Sequence, residues 1–102
     1  YEQGNTNAAI GRWRRAVDLS SGEAEPTLAL AAALYADGDT SADVVGLAVQ
    51  ALIKQPDYVL GAFQKAQLWG PKLREVTAEM FKDKRLKSAV NRAKGLATFE
   101  DS

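Results

Sequence analysis

The sequence predicts an all-α fold, and two observations carry that prediction. Apolar residues recur at helical spacing in short segments separated by Gly, Pro and Ser residues, and no segment alternates apolar and polar residues for long enough to form a strand. A residue pattern also recurs after 34 residues, a period typical of helical repeats. The recurring residues are Tyr1, Gly4 and Thr6, which return as Tyr35, Gly38 and Thr40. The pattern therefore predicts successive helix-turn-helix units.

Three helices are predicted in the first half of the chain. The first covers residues 6–19 and ends at a Ser-Ser-Gly sequence. The second begins near Glu23 and has Pro26 in its first turn, where the missing N–H is harmless. Because this second helix is apolar nearly all round, we expect neighbouring helices on both of its sides. The third covers residues 41–54 and is stopped by Pro56.

Three further helices are predicted in the second half. The fourth covers residues 58–69, with Asp57 as its cap and Leu68 among its inward-facing residues. Pro71 opens the fifth, because proline is favoured in the first turn of a helix. The sixth covers residues 83–94 and has a narrower apolar stripe than the others.

Composition removes several kinds of chemistry. The chain has 102 residues, the size of one small domain, and contains neither Cys nor His. Disulfides, thiol chemistry, the usual zinc sites and histidine general bases are therefore excluded. No segment approaches the roughly 20 apolar residues that span a bilayer, and no signal-peptide pattern is present. We expect a soluble, cytoplasmic chain, and because residue 1 is Tyr we interpret the sequence as a domain excerpt or a processed chain.

A possible calcium loop lies between the second and third predicted helices. Oxygen-bearing side chains occupy every second position there: Asp37, Asp39, Ser41 and Asp43. An EF-hand loop, however, requires a Gly where Ala42 stands and a bidentate Glu where Ala48 stands. The segment is therefore interpreted as a bend. Because the serines also have no candidate base nearby and no phosphate-binding loop occurs, we expect no catalytic, cofactor-binding or metal-binding residue and no enzyme activity.

One segment resembles a known repeat family. The sequence PTLALAAALYADGDTSADVVGLAVQALIKQPDY, residues 26–58, resembles one complete tetratricopeptide repeat. The residues that carry the resemblance are Ala31, Tyr35, Gly38, Ala51, Leu52 and Pro56. Residues 1–20 resemble the last two thirds of a preceding repeat, and residues 59–70 resemble the start of a third.

The resemblance implies a domain organisation. Residues 1–70 would form antiparallel helix-turn-helix repeats stacked as a short right-handed α-solenoid. Residues 71–95 would form a basic helical cap, because the end of such a stack has an apolar face that must be covered. Residues 96–102 are expected to form a frayed tail.

The resemblance also implies a function. Tetratricopeptide proteins are scaffolds and assembly factors that bind a protein or peptide on the concave face formed by the first helix of each repeat. The corresponding residues here are Glu25, Leu28, Ala32, Tyr35, Phe63, Gln64 and Gln67. Because these residues are mainly apolar and neutral, we expect an apolar or helical partner rather than a terminal carboxylate. The alternative is that the C-terminal cap itself lies in this groove.

Basic residues cluster in the C-terminal third. Residues 1–70 carry five Lys and Arg against eight Asp and Glu, whereas residues 71–95 carry eight against three. The densest group is Lys82, Lys84, Arg85, Lys87, Arg92 and Lys94. This group is either a solvated capping helix or, as an alternative function, a site for nucleic acid or an anionic surface. Self-association between the acidic body and the basic end of two chains is a third possibility.

Overall fold

The computed structural model describes residues 1–100, and within that range the fold is all-α, as predicted. The helices are α1 (Thr6–Leu19), α2 (Ala24–Ala36), α3 (Ala42–Lys54), α4 (Gly61–Ala66), α5 (Pro71–Met80) and α6 (Lys87–Leu96). Short 3₁₀ helices at Pro56–Val59 and Lys84–Leu86 precede α4 and α6. None of these helices has the length and apolar content needed to cross a membrane. Residues 101 and 102 of the predicted tail lie outside the described residues.

Helix α2 lies at the centre of the fold. Its buried residues are Ala24, Thr27, Leu28, Ala29, Leu30, Ala31, Ala32 and Ala33. Helices α1, α3 and α5 all pack against it, which confirms the prediction that it has neighbours on both sides. Because five of its eight buried residues are alanine, the neighbouring helices can approach its backbone closely.

The two glycine turns of the 34-residue sequence pattern share backbone features. Gly4 and Gly38 both have positive φ angles, of 90° and 103°. Each of them also donates its N–H to the carbonyl of the Tyr three residues earlier, at 3.0 Å from Tyr1 and 3.1 Å from Tyr35. Glycine adopts positive φ without the steric cost that a Cβ imposes, which explains why glycine is repeated at these turns.

The bend after α2 is held by its own polar groups. Gly38 takes the left-handed position at the end of the helix, and the Asp39 N–H donates to the Leu34 carbonyl at 2.9 Å. The Asp39 carboxylate in turn accepts a hydrogen bond from the Ser41 N–H at 3.1 Å, one residue before α3 begins. The Asp39 side chain therefore stabilises the turn itself.

The predicted fourth helix is wrong as a continuous element. The chain forms a 3₁₀ turn at Pro56–Val59, becomes extended at Leu60 (φ −92°, ψ 124°) and only then enters α4. The break allows both Tyr58 and Val59 to be buried. It also frees the Tyr58 carbonyl, which accepts a hydrogen bond of 2.7 Å from the Gln64 side-chain amide.

The segment after α6 is held by contacts, in contrast to the frayed tail expected from the sequence. The Thr98 N–H donates to the Asp57 carboxylate at 2.7 Å, so Asp57 binds the tail rather than capping a helix. The Phe99 ring packs edge-on against Phe63 with a centroid distance of 5.3 Å. Residues 98 and 99 therefore cover the 3₁₀ turn and α4.

The N-terminal segment caps α5 across the molecule. The two Glu2 carboxylate oxygens accept hydrogen bonds of 2.8 Å from the Lys72 and Leu73 N–H groups in the first turn of α5. These N–H groups have no partner within the helix, and a carboxylate there also interacts favourably with the helix dipole. Residue 70 must be glycine for this contact, because a Cβ at that position would collide with the Glu2 side chain.

The central position of α2 leads to a prediction about Ala32, which is fully buried. We expect Ala32→Leu to lower the free energy of unfolding by about 1–3 kcal/mol, because the added atoms must push neighbouring helices apart. Urea denaturation of the purified chain measures this. The control is Ala36→Leu, at an exposed position on the same helix, which should have little effect. Equal effects of the two substitutions would contradict the central burial of α2.

Candidate functional site

The structure buries three of the residues predicted to line a concave groove. Leu28 and Ala32 have no exposed surface and Gln64 is 2% exposed. Helix α5, from the predicted cap, packs on α2, and Leu73 and Met80 of α5 belong to the same buried cluster as Leu28 and Ala32. These groove residues are therefore part of the core and do not form an open surface.

Tyr35, another predicted groove residue, is engaged in a polar clasp. Its hydroxyl donates to the Asp83 carboxylate at 2.8 Å, and Asp83 also accepts two hydrogen bonds from the Arg85 guanidinium, at 2.8 and 3.0 Å. Arg85 additionally donates to the Thr40 carbonyl at 2.8 Å. The Arg85 side chain and backbone, together with the Tyr35 hydroxyl, hold the pKa of Asp83 well below its usual range. The clasp joins α2, the bend after it and the 3₁₀ turn before α6.

The remaining groove residues do come together. Glu25, Phe63 and Gln67 line a surface cleft of about 460 Å³, with Tyr58 among its other walls. The Tyr58 hydroxyl donates to the Glu25 carboxylate at 2.9 Å, and burial together with this hydrogen bond raises the pKa of Tyr58. The rings of Tyr58 and Phe63 meet edge to face at 4.8 Å.

A second cleft shares Glu25 and Gln67 with the first. It has a volume of about 300 Å³, and its other walls include Tyr1, Trp13 and Leu68. The rings of Tyr1 and Trp13 lie 5.5 Å apart, and both side chains are half-buried. We call the two cavities the paired clefts. Together they form one surface with aromatic walls and polar groups between them.

Leu68 is the most unusual residue of this surface. The prediction that it faces inward is wrong, since the side chain is 91% exposed. Its φ angle is 68°, in the left-handed region. The Leu68 N–H donates to the Lys65 carbonyl and the Trp69 N–H to the Gln64 carbonyl, both at 3.0 Å, so the turn ending α4 is a Schellman motif.

Two unfavourable features thus coincide at Leu68. The residue occupies the position where a Schellman motif normally has glycine, and a left-handed conformation costs a non-glycine residue roughly 1–2 kcal/mol. The position also leaves a large apolar side chain in water. Strained backbone of this kind is concentrated at functional sites. The sequence contains a signal for this strain. Helix α4 must end before Pro71, and because none of residues 67–69 is glycine, a non-glycine residue must occupy the left-handed position.

The predicted basic group does not form one surface. Arg85 and Arg92 lie with Ser88 and Ala89 along one side of a separate cleft, whose opposite side is α3. Lys87 is five residues before Arg92, which places it about 140° away around α6. The structure also pairs Lys82 with Glu79 at 3.0 Å and leaves Lys84 and Lys94 exposed. Arg85 and Arg92 therefore line the cleft beside α3, whereas the lysines lie on other parts of the surface.

The paired clefts can supply apolar and aromatic contacts together with carboxylate and amide groups. Tyr and Trp are enriched at the energetically important positions of protein interfaces, because they bury large areas and retain a polar group. Comparison with known proteins adds no further guide: no protein-family model, curated protein or solved structure matches the chain.

The strain at Leu68 predicts a stabilising substitution. We expect Leu68→Gly to raise the free energy of unfolding by roughly 0.5–1 kcal/mol, because relief of the left-handed strain exceeds the added entropy of the unfolded chain. The matched control is Leu19→Gly. Leu19 is 80% exposed but lies at the end of α1, where glycine should lower stability by about 0.5 kcal/mol. Urea denaturation measures the change in the free energy of unfolding for both variants. A lower free energy of unfolding for Leu68→Gly would contradict the claim that the turn at Leu68 is strained.

Proposed function

We propose that the chain is a non-enzymatic protein–protein interaction module, a scaffold or assembly factor, that binds an apolar segment of a partner at the paired clefts. The observation that carries this proposal is Leu68, an exposed leucine held in a left-handed turn at the edge of these clefts. Its exposure and its backbone strain both lower the stability of the isolated chain. A partner that buries the side chain would gain roughly 2 kcal/mol from its apolar surface.

The surroundings of Leu68 support the same role. Trp13 and Tyr1 provide aromatic surface beside it, and Phe63 provides more in the adjoining cleft. Polar groups lie between these rings, including Glu25 and Gln67, which line both clefts. Protein-binding surfaces commonly combine aromatic residues with polar groups in this way.

The repeat architecture is part of the proposal. We propose that α1 is the second helix of a partial tetratricopeptide-like repeat, that α2 and α3 form a complete one, and that residues 56–66 begin a third. The matching turns at Gly4 and Gly38 support this assignment. The proposed arrangement is a right-handed stack of repeats closed by α5 and α6. In it, α5 occupies the inner face of the stack and the partner binds beside α5 at the paired clefts.

The experiment is affinity capture with the full 102-residue chain as bait in a lysate of its source. We expect a defined set of proteins to be retained at a salt concentration of about 150 mM, where interactions between exposed charges more than about 8 Å apart are largely screened. Leu68→Gly should fail to retain these proteins, because the substitution removes the exposed leucine side chain without loss of stability. Leu19→Gly, which also removes an exposed leucine, should retain them.

Two results would contradict the proposed function. One is retention of the same proteins by Leu68→Gly, which would show that the leucine does not contribute to binding. The other is capture of RNA or acidic polymers only, lost as salt increases, which would assign binding to the basic residues of the C-terminal third.

A further inference from the structure

A second surface lies between α3 and α6, and it shares no lining residue with the paired clefts. It is an open cleft of about 390 Å³. Its apolar lining is Val49, Leu52, Ile53 and Ala89, and its polar lining is Arg85, Ser88 and Arg92. Ile53 remains 57% exposed, so the apolar floor is in contact with water. We call this surface the α3–α6 cleft.

The α6 side of this cleft carries an excess of positive charge. Among residues 1–100, the charged residues that line it are Arg85 and Arg92, and both are basic. Asp83 is paired with Arg85, which fixes that guanidinium against the bend after α2. Arg92 is exposed and forms no ion pair with any of residues 1–100. The charge at the rim therefore favours a partner that carries carboxylates.

The residues that line the cleft lie on two facing helical segments. Arg85, Ser88 and Arg92 follow one another at intervals of three and four residues, so they form a stripe about 10 Å long on one side of their segment. On the facing helix, Val49, Leu52 and Ile53 have the spacing of one apolar face. Small-molecule sites usually enclose most of the ligand, whereas a shallow trough between two helices buries one face of a third.

We propose that the α3–α6 cleft docks an amphipathic helix of another protein, with aliphatic residues against Val49, Leu52 and Ile53 and carboxylates against Arg92 and Ser88. Arg92 supplies the charge that selects an acidic partner. Arg85 forms the fixed end of the stripe, because its guanidinium already binds Asp83 and Thr40. The binding of this helix is independent of the surface around Leu68.

The test uses two labelled model peptides and fluorescence anisotropy. Both peptides have about 15 residues, form helices and carry leucines three, four and seven positions apart; one has Glu beside the leucines and the other has Lys. We expect the intact chain to bind the Glu peptide about tenfold more tightly than the Lys peptide. Arg92→Glu should reverse this preference. Lys87→Glu makes the same change of charge on another side of α6, and it should alter the affinity by less than about twofold.

Two further variants separate the contribution of the apolar floor from that of the surface around Leu68. Ile53→Gln should weaken binding of both peptides about tenfold, because it removes an exposed part of the apolar floor. Leu68→Gly should leave both affinities unchanged, so failure of this proposal is distinguishable from failure of the function proposed for the paired clefts. Circular dichroism confirms that each variant remains folded.

Any of four results would overturn the proposal. The first is the absence of saturable binding of the Glu peptide to the intact chain. The second is equal binding of the Glu and Lys peptides, and the third is an equal response to Arg92→Glu and Lys87→Glu. The fourth is saturable binding of dodecanoate at the cleft without peptide binding, which would identify a site for a small amphiphilic anion.

Discussion

Helix α2 has buried side chains along most of its length, and the positions of α1, α3 and α5 follow from this. A helix surrounded by neighbours needs small side chains, since each neighbour must reach its backbone at a distance set by the residues between them. The alanines of α2 satisfy that requirement. They allow α1, α3 and α5 to pack around one helix in a chain of 102 residues.

The packing of α5 on α2 determines which surfaces remain available. Because α5 shares the core with Leu28 and Ala32, these residues cannot also contact a partner. The path from α4 to α5 is correspondingly short, with Gln67 to Gly70 as its four residues. The carboxylate of Glu2 fixes the start of α5, and the left-handed turn at Leu68 ends α4. The exposed leucine is thus a direct consequence of how tightly these two helices are joined.

The sequence predicts those parts of the structure that local signals determine. Pro71 opens a helix because of its fixed φ angle, and Gly38 forms a turn because of its freedom at positive φ, so the boundaries there are predicted closely. The break at Leu60 depends instead on the burial of Tyr58 and Val59, and the order at Thr98 depends on Asp57, 41 residues away. Such contacts are tertiary and leave no local pattern.

The candidate site also has features that the sequence predicts and features that it does not. The repeat pattern groups Glu25, Phe63 and Gln67 as residues of one groove, and all three line the same cleft, although Gln67 lies just beyond the end of α4. It does not predict that α5 covers Leu28, since periodicity identifies an apolar face without identifying the helix that covers it. The helical pattern predicts an inward-facing Leu68 only if α4 continues beyond Ala66, where the structure instead forms a turn.

Native-state hydrogen exchange tests the central claim most directly, by comparing the amides of α2 with those of α5. If α5 is an integral part of the core, amides in both helices exchange only through global unfolding and report the same opening free energy. The contradicting result is an opening of α5 several kcal/mol below that of α2. Leu28 and Ala32 would then become accessible without global unfolding, and the face of α2 that α5 covers would be available to a partner.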